Sequence, residues 1–341
     1  MKILLIGGTG TISMEISRKL LAQGHTLYLL NRGSQNHRFM GNKNLVEIIA
    51  DINDEETVAA QIKDLKFDSV VDFIAFVPAH LERDVRLFSG KTKQFIFISS
   101  ASAYQKPLSD YHISEGTPLS NPYWEYSRNK IAGEEYLMKL YRDDGFPVTI
   151  VRPSHTYFKT SVPLGVHGEK GSYQVIKRIM DGKPVIIHGD GTSLWTMTHS
   201  SDFADAFIGL LGNIHSIGEA VQITSDETLT WNQIYQTIAD ALGVPLKPYY
   251  VSSEFLANCS NYDFRGSLIG DKANSVVFDN TKLKRLVPEF VAKKRFDQGI
   301  RETLFYILSH PDLQILDPEF DKWCDKVITE LDKAAKKIKG K

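Results

Sequence analysis

Hydrophobic positions in the first half of the chain alternate between two rhythms. Short, nearly unbroken aliphatic runs are followed by stretches where apolar side chains recur every three or four positions. Lys2–Ile6 reads as a strand; Ile12, Ile16, Leu20 and Leu21 then fall at helical spacing until Gly24 stops the helix. Thr26–Asn31 and Val46–Asp51 read as the second and third strands, and Asn53 or Asp54 caps a helix running to about Leu65. Ser69–Ala75, Gln94–Ser99 and Val148–Arg152 are almost continuously apolar, as strands buried on both faces are. The pattern predicts a Rossmann-like, doubly wound parallel α/β sheet covered by helices on each side.

After Arg152-Pro153 the pattern loosens. Gly- and Pro-rich loops at 161–172 and 188–192 separate short elements, a helix resumes at Ser201–Leu211 and a strand at Ala220–Thr224. Beyond Trp231 the chain is mostly helical with irregular links. The expected organisation is a dinucleotide-binding domain of residues 1–160 plus about 198–225. Residues 161–197 plus 226–341 then form a smaller mixed α/β substrate lobe.

Charge changes the picture by exclusion. The 40 basic and 41 acidic side chains leave a net charge of −1, which argues against nucleic acid or an anionic membrane surface as partner. The basic C-terminal KAAKKIKGK reads as the solvated end of a last helix. Cys259 and Cys324 stand alone without metal-ligand spacing, so a reducing compartment and no metal are expected. No apolar run is long enough for a bilayer, and a strand from residue 2 leaves no leader peptide expected. The expected location is the cytoplasm.

GGTGTIS, residues 7–13, lies between the first strand and first helix, the context in which a glycine loop carries meaning. Gly7 permits the sharp turn, and Gly10 lets backbone approach a pyrophosphate. Thr11 and Ile12 then bring their N–H groups to it at the helix start. The second strand ends in Asn31-Arg32, where an acid usually takes the adenosine ribose. A neutral residue followed by Arg suits a 2′-phosphate, with Arg38 as a second contact, so the expected cofactor is NAD or NADP, with NADP favoured. By position, Asp51 and Ile52 serve adenine, and Phe73 to Phe76, with Ala75 among them, run under the ribose and nicotinamide.

Tyr126 and Lys130 lie four apart on a helical stretch and so share a face. An ammonium beside a phenol favours the phenolate, and the tyrosine can exchange a proton with a substrate hydroxyl while hydride moves to or from a nicotinamide. Just before it, FISSASAY places Ser99, Ser100 and Ser102 at the C-terminal end of the fifth strand, the ligand edge of an open α/β sheet.

Gly7-x-x-Gly10, Asp51-Ile52, Ser100, Tyr126-x-x-x-Lys130 and Arg152-Pro153 together resemble the extended short-chain dehydrogenase/reductases, the NAD-dependent epimerase/dehydratase group. The likeness continues in Gly189-Asp190-Gly191 and at His199 to Asp202. It covers about residues 1–215 well and the remainder loosely. It implies Ser100, Tyr126 and Lys130 as a catalytic triad. Tyr126 is the acid/base; Lys130 lowers its pKa and holds the nicotinamide ribose; Ser100 binds the substrate oxygen, with Ser102 a second candidate. Pro153 joins the cofactor set, and Trp124 and His155 are candidate substrate contacts.

The departures from the family pattern are also informative. Ser13 occupies the third glycine position and either loosens the helix packing or is simply accommodated. Ser100-Ala101-Ser102 stands where 4,6-dehydratases carry Thr-Asp-Glu, which argues against that elimination. Ser193 to Thr196 replace the arginine that holds nucleotide phosphates, with Lys177, Arg178 or Arg265 left to supply charge. Tyr104, His167 and Trp195 also fall near the expected pocket, where packing is their commoner role, and His199 is expected to hold a loop before Ser201. The implied activity is epimerisation or oxidoreduction of a sugar or sugar nucleotide, a small-molecule substrate. The alternatives are an NADPH-dependent carbonyl reductase, a non-turning NADP sensor, and an RNA-binding relative that shares the GGT loop and Arg32-Gly33. Relatives dimerise through two helices, here His80–Phe88 and Trp124–Arg142, so a homodimer is possible on the same grounds.

Overall fold

The computed structural model describes residues 1–33, 39 and 41–340. Seven strands, Lys2–Ile6 (β1), Thr26–Asn31 (β2), Leu45–Ile49 (β3), Ser69–Asp72 (β4), Phe95–Ile98 (β5), Val148–Pro153 (β6) and Ala220–Ile223 (β7), form one parallel sheet in the order β7-β6-β5-β4-β1-β2-β3. Among the described residues the α-helices are Ser13–Ala22 (α1), Glu55–Gln61 (α2), Pro78–Phe88 (α3), Glu125–Asp144 (α4), Tyr173–Met180 (α5), Ser200–Leu210 (α6), Trp231–Leu242 (α7), Ser253–Asn258 (α8), Thr281–Leu286 (α9), Phe296–Leu308 (α10) and Pro318–Ile338 (α11).

Strand order reverses between β1 and β4, the switch point where open α/β sheets bind ligands. Register brings the strand ends there level: Ile6 pairs with Leu30 on one side and Asp72 on the other, and Asp72 pairs with Phe97. Alternation along β1 splits the core in two. Ile3 and Leu5 face Leu20, Phe203, Phe207 and Leu210 of α1 and α6. Leu4 and Ile6 belong to the opposite layer, with Val58, Leu81, Phe88 and Leu137 of α2, α3 and α4. The runs expected to be buried on both faces are so: β4, β5 and β6 are buried throughout. β3 is mostly exposed instead, with only Ile48 buried, because it is the sheet edge.

Two compact units emerge. The first comprises Met1–Thr156, Thr198–Asp226 and Phe278–Lys293. The last segment, expected in the other lobe, lies here because Leu283 and Phe290 are buried in the same cluster as Phe203. The second unit comprises Tyr157–Met197, Glu227–Val277 and Lys294–Lys341. Within it, Val185–His188 pairs in parallel with Pro248–Val251, and fully buried Trp231 packs its ring against His188, Trp195 and Tyr235. Among the described residues no helix is long and apolar enough to cross a membrane.

Candidate functional site

The glycine loop is held by the helix that follows it. Gly7 adopts φ +79°, and a Cβ there would meet Ile74 Cγ2 at 2.7 Å. A Cβ on Gly8, a position sequence reasoning passed over, would stand 2.4 Å from Leu29 Cδ2 in the core. Ser13 neither loosens this packing nor is merely tolerated. Its buried hydroxyl donates to the Gly7 carbonyl and accepts from the Gly10 N–H, both at 2.8 Å. Ser17 Oγ adds a third tie to the Gly8 carbonyl at 2.6 Å. The Gly10 N–H is thereby used internally. Among the described residues no acceptor takes the N–H of exposed Thr11 or half-buried Ile12. The face of Gly10 is open, its nearest neighbour to a built Cβ being Ser13 Oγ at 3.5 Å.

Beside the loop lies a cavity of about 290 Å³, bordered by Gly7, Thr9, Asn31, Arg32, Asp51 and Ile52. Asn31 Oδ1 accepts from the Gly33 N–H at 2.8 Å, which turns the chain and leaves Arg32 exposed. Asp51 is exposed with Oδ1 held by the Asn53 N–H and Nδ2 at 2.9 and 3.0 Å, while Ile52 is buried beneath. Arg38 lies outside the described residues. An apolar floor, a carboxylate, an amide and a guanidinium around a glycine turn fit the adenosine half of an adenine dinucleotide.

At the other end of the strand edge, Lys130 is 2% exposed, and its Nζ donates to the carbonyls of Ala75 at 2.7 Å and Ile98 at 2.8 Å. The rings of Phe97, Phe76 and Tyr126 surround it, with centroids at 4.9, 5.1 and 5.6 Å. Burial pulls the Lys130 ammonium down to about 8, against the charges of Asp72 and Glu134, which favour the cation. Tyr126 is half-buried one turn earlier, its ring 5.0 Å from that of Trp124. Phe73 packs on Phe207, Pro153 is buried in β6, and His155 is half-buried beyond it.

The serines form a chain of hydroxyls. Ser127 Oγ donates to Ser102 Oγ at 2.7 Å, and Ser102 Oγ lies 2.9 Å from Ser100 Oγ. Ser102 is 3% exposed and Ser127 fully buried, so half-buried Ser100 presents the chain's outer hydroxyl. Asn121 secures the turn, donating to the Ser102 carbonyl at 2.9 Å. Neither Ser127 nor Asn121 was signalled by the sequence, since nothing local reveals which residues close such a loop.

A buried ion pair supports this edge from below. Arg152 donates to Glu134 through Nε at 3.0 Å and Nη2 at 2.5 Å, Ser99 Oγ donates to the same carboxylate, and the guanidinium lies over the Tyr104 ring. Tyr104 is therefore a core residue. Glu134→Ala is expected to cost about 3–5 kcal/mol in urea denaturation, because it strands a buried guanidinium. A loss under about 1 kcal/mol would show that water replaces the carboxylate.

The cations considered for substrate phosphates are already engaged within the second unit. Arg178 is 1% exposed and bound to Asp321, Asp325 and the Pro184 carbonyl; Lys177 pairs with Asp181, and Arg265 with Glu254. Trp195 is core there, 3% exposed, and His167 Nδ1 contacts its neighbour's carbonyl, Gly168 O, at 2.8 Å. His199 caps α6, accepting from the Ser201 N–H at 3.2 Å, which is the loop-holding role expected of it.

A parallel sheet with a glycine turn at its switch point and a Tyr-x-x-x-Lys helix alongside defines a nucleotide-dependent enzyme of the short-chain dehydrogenase/reductase type. The chain belongs to the NAD dependent epimerase/dehydratase family, whose model matches residues 3–224. A 2'-dehydrokanamycin reductase of Streptomyces kanamyceticus is 26% identical over 302 residues, 85% of this chain and 80% of its own length. The chloroplast stem-loop binding protein of 41 kDa b of Arabidopsis thaliana is 26% identical over 256 residues, 72% of this chain and 64% of its own. Among solved structures, the UDP-glucuronic acid 4-epimerase of Bacillus cereus in complex with UDP-glucuronic acid and NAD aligns with a TM-score of 0.72. Its identity is 18%, over 91% of this chain and 99% of that one.

Proposed function

We propose that this protein interconverts a hydroxyl and a ketone on a sugar-type small molecule, using NAD(H) or NADP(H), with Tyr126 as acid/base. The observation that carries the reading is Lys130: a buried ammonium tied to two strand-end carbonyls and set against the Tyr126 ring. When bound, the nicotinamide supplies the hydride acceptor or donor at the reacting carbon. Gly7, Gly10, Thr11 and Ile12 would hold the pyrophosphate, Asp51 and Ile52 the adenine, and Phe73, Ala75, Lys130 and Pro153 the nicotinamide half. Tyr126 gives or takes the proton at the substrate oxygen, and Lys130 stabilises its phenolate. Ser100 donates to that oxygen, oriented by Ser102 and Ser127 behind it.

Exposed Arg32 after neutral Asn31 supports NADP over NAD, and the similarity to a named reductase agrees with a cofactor that exchanges. The first test is to denature freshly purified protein and identify released nucleotide by mass spectrometry, then titrate NADH and NADPH by fluorescence. Near-stoichiometric NAD⁺ would indicate recycling in place, as in an epimerase, and would overturn the Arg32 reading. Arg32→Ala is expected to weaken NADPH about tenfold, the value of one charge-assisted contact, and to leave NADH within about twofold. Equal loss for both would remove Arg32 from discrimination.

A second reading follows from the similarity to a stem-loop binding protein: the fold as an RNA platform. A net charge of −1 and the burial of Lys130, away from any phosphate backbone, weigh against it. Salt-dependent retention of stem-loop RNA, with neither nucleotide bound, is the result that would install it.

A further inference from the structure

Helix α3 buries a cation that the reaction outlined above does not use. Arg83 is 5% exposed and lies between two carboxylates with no exposure at all, Asp84 beside it and Asp72 at the end of β4. Its Nε and Nη2 donate to Asp84 Oδ1 at 3.0 and 2.8 Å, Nη2 also reaches Asp72 Oδ2 at 3.2 Å, and Nη1 donates to Asn53 Oδ1 at 2.8 Å.

Two of these partners lead on to opposite ends of the nucleotide site. Asn53 holds Asp51 Oδ1 with its backbone N–H and Nδ2, at the rim of the 290 Å³ cavity. Asp72 Oδ1 accepts from the Ile74 N–H at 2.5 Å. Ile74 lies against the Gly7 turn, and the next residue, Ala75, offers its carbonyl to Lys130 Nζ. A continuous path of hydrogen bonds and short backbone therefore runs from Asp51 through Asn53, Arg83 and Asp72 to Lys130.

The charges of the cluster are uneven, two carboxylates against one guanidinium. Burial and the neighbouring Asp72 push the Asp84 carboxyl well above the usual carboxylate range. Among the described residues no hydrogen-bond partner reaches Asp84 Oδ2. Apolar side chains would fill the same volume without this desolvation. They would not hold three separate segments at hydrogen-bonding distance.

We propose that Arg83 is a positioning residue for the dinucleotide, clamping the Asp51–Asn53 turn on the adenosine side and the Ile74–Ala75 segment on the nicotinamide side into one frame. This rests on the reading of the cavity as an adenosine site. Its function follows from geometry. A planar fork reaches Asn53, Asp72 and Asp84 at once, which a single ammonium cannot do.

The test uses the full chain, with AMP as probe of the adenosine half and NADH and NADPH as probes of the whole. Wild-type binding is measured first; if neither dinucleotide binds, the functional reading fails and takes this proposal with it. Given binding, Arg83→Lys is expected to keep the fold, judged by far-UV circular dichroism, and to weaken AMP about tenfold. Asp72→Asn retains an acceptor for the Ile74 N–H but loses its attraction for Arg83 and Lys130. It is expected to leave AMP within twofold while weakening the dinucleotides several-fold. Asn53→Ala, at an exposed residue, cuts only the adenosine arm, and combined with Arg83→Lys it is expected to add nothing further to the loss of AMP affinity. A role in stability alone predicts lower melting temperatures with unchanged affinities of the folded protein. Folded Arg83→Lys and Asn53→Ala variants that both bind AMP within twofold of wild type would overturn the proposal. Should Arg83→Lys not fold, Asn53→Ala decides by itself: a loss of AMP affinity supports the clamp, and none overturns it.

Discussion

Tyr126→Phe is expected to lower turnover by about 10²–10⁴-fold, the usual contribution of a positioned acid/base, while cofactor affinity stays within about twofold. The reason lies in what the hydroxyl does and does not support. The Tyr126 ring is packed by Trp124 and faces the Lys130 ammonium, and phenylalanine preserves both contacts. What the substitution removes is the hydroxyl, and with it the transferable proton. The measurement is NAD(P)H consumption with a carbonyl compound that wild type reduces, alongside fluorescence titration of cofactor. A variant retaining a tenth of wild-type turnover would move the acid/base role to Ser100 or to water. Ser100→Ala supplies the contrast. With the phenol intact, it is expected to cost less, about 10–10²-fold, as the loss of one oxygen-directed donor.

Lys130→Met combines a catalytic loss with a structural one, and pH separates them. The Ala75 and Ile98 carbonyls each lose a buried donor, at about 1–3 kcal/mol apiece. The ammonium itself is disfavoured by burial, its pKa pulled from 10.5 to about 8. Between those values the unfolded chain binds a proton that the native protein does not, so this residue's contribution to stability rises with pH across that window. The stability gap between wild type and Lys130→Met is therefore expected to widen by roughly 3 kcal/mol from pH 7.5 to above 10.5. Urea denaturation of both proteins at pH 7.5 and 10 checks it. A gap that is constant or shrinks with pH would mean that Lys130 is better solvated, or better paired, than its two carbonyls suggest. Activity of the methionine variant is expected to fall with that of Tyr126→Phe, and both changes together to cost little more than either alone, because the two groups act as one unit.

Much of the fold was legible because it depends on short-range periodicity. β1 and β2 run as read, Lys2–Ile6 and Thr26–Asn31, since a strand buried on both faces writes itself as a continuous apolar run. The glycine turn was legible for a similar reason: Gly7 needs φ +79°, and few other residues accept it. Element ends were less so. β4 stops at Asp72 rather than Ala75, because the Asp72 carboxylate captures the Ile74 N–H and turns the backbone out of the ladder. Ser13 read as either loosening the helix packing or being simply accommodated, yet its hydroxyl is a staple, which only the closure of the loop reveals.

The sequence by itself determined the strand and helix periods, the turn at Gly7, and the four-residue spacing that sets Tyr126 and Lys130 on one helix face. These are properties of neighbours in the chain, decided by backbone geometry and side-chain period. The tertiary structure decided the surroundings. Lys130 meets carbonyls from residues 75 and 98, Ser102 meets Ser127, and Arg83 joins Asn53 to Asp72. Burial and charge at those distances set the Lys130 ammonium near 8 and leave Ser100 as the outer hydroxyl. Both depend on groups far apart in the chain, and no local pattern encodes which of them the closed sheet will bring together.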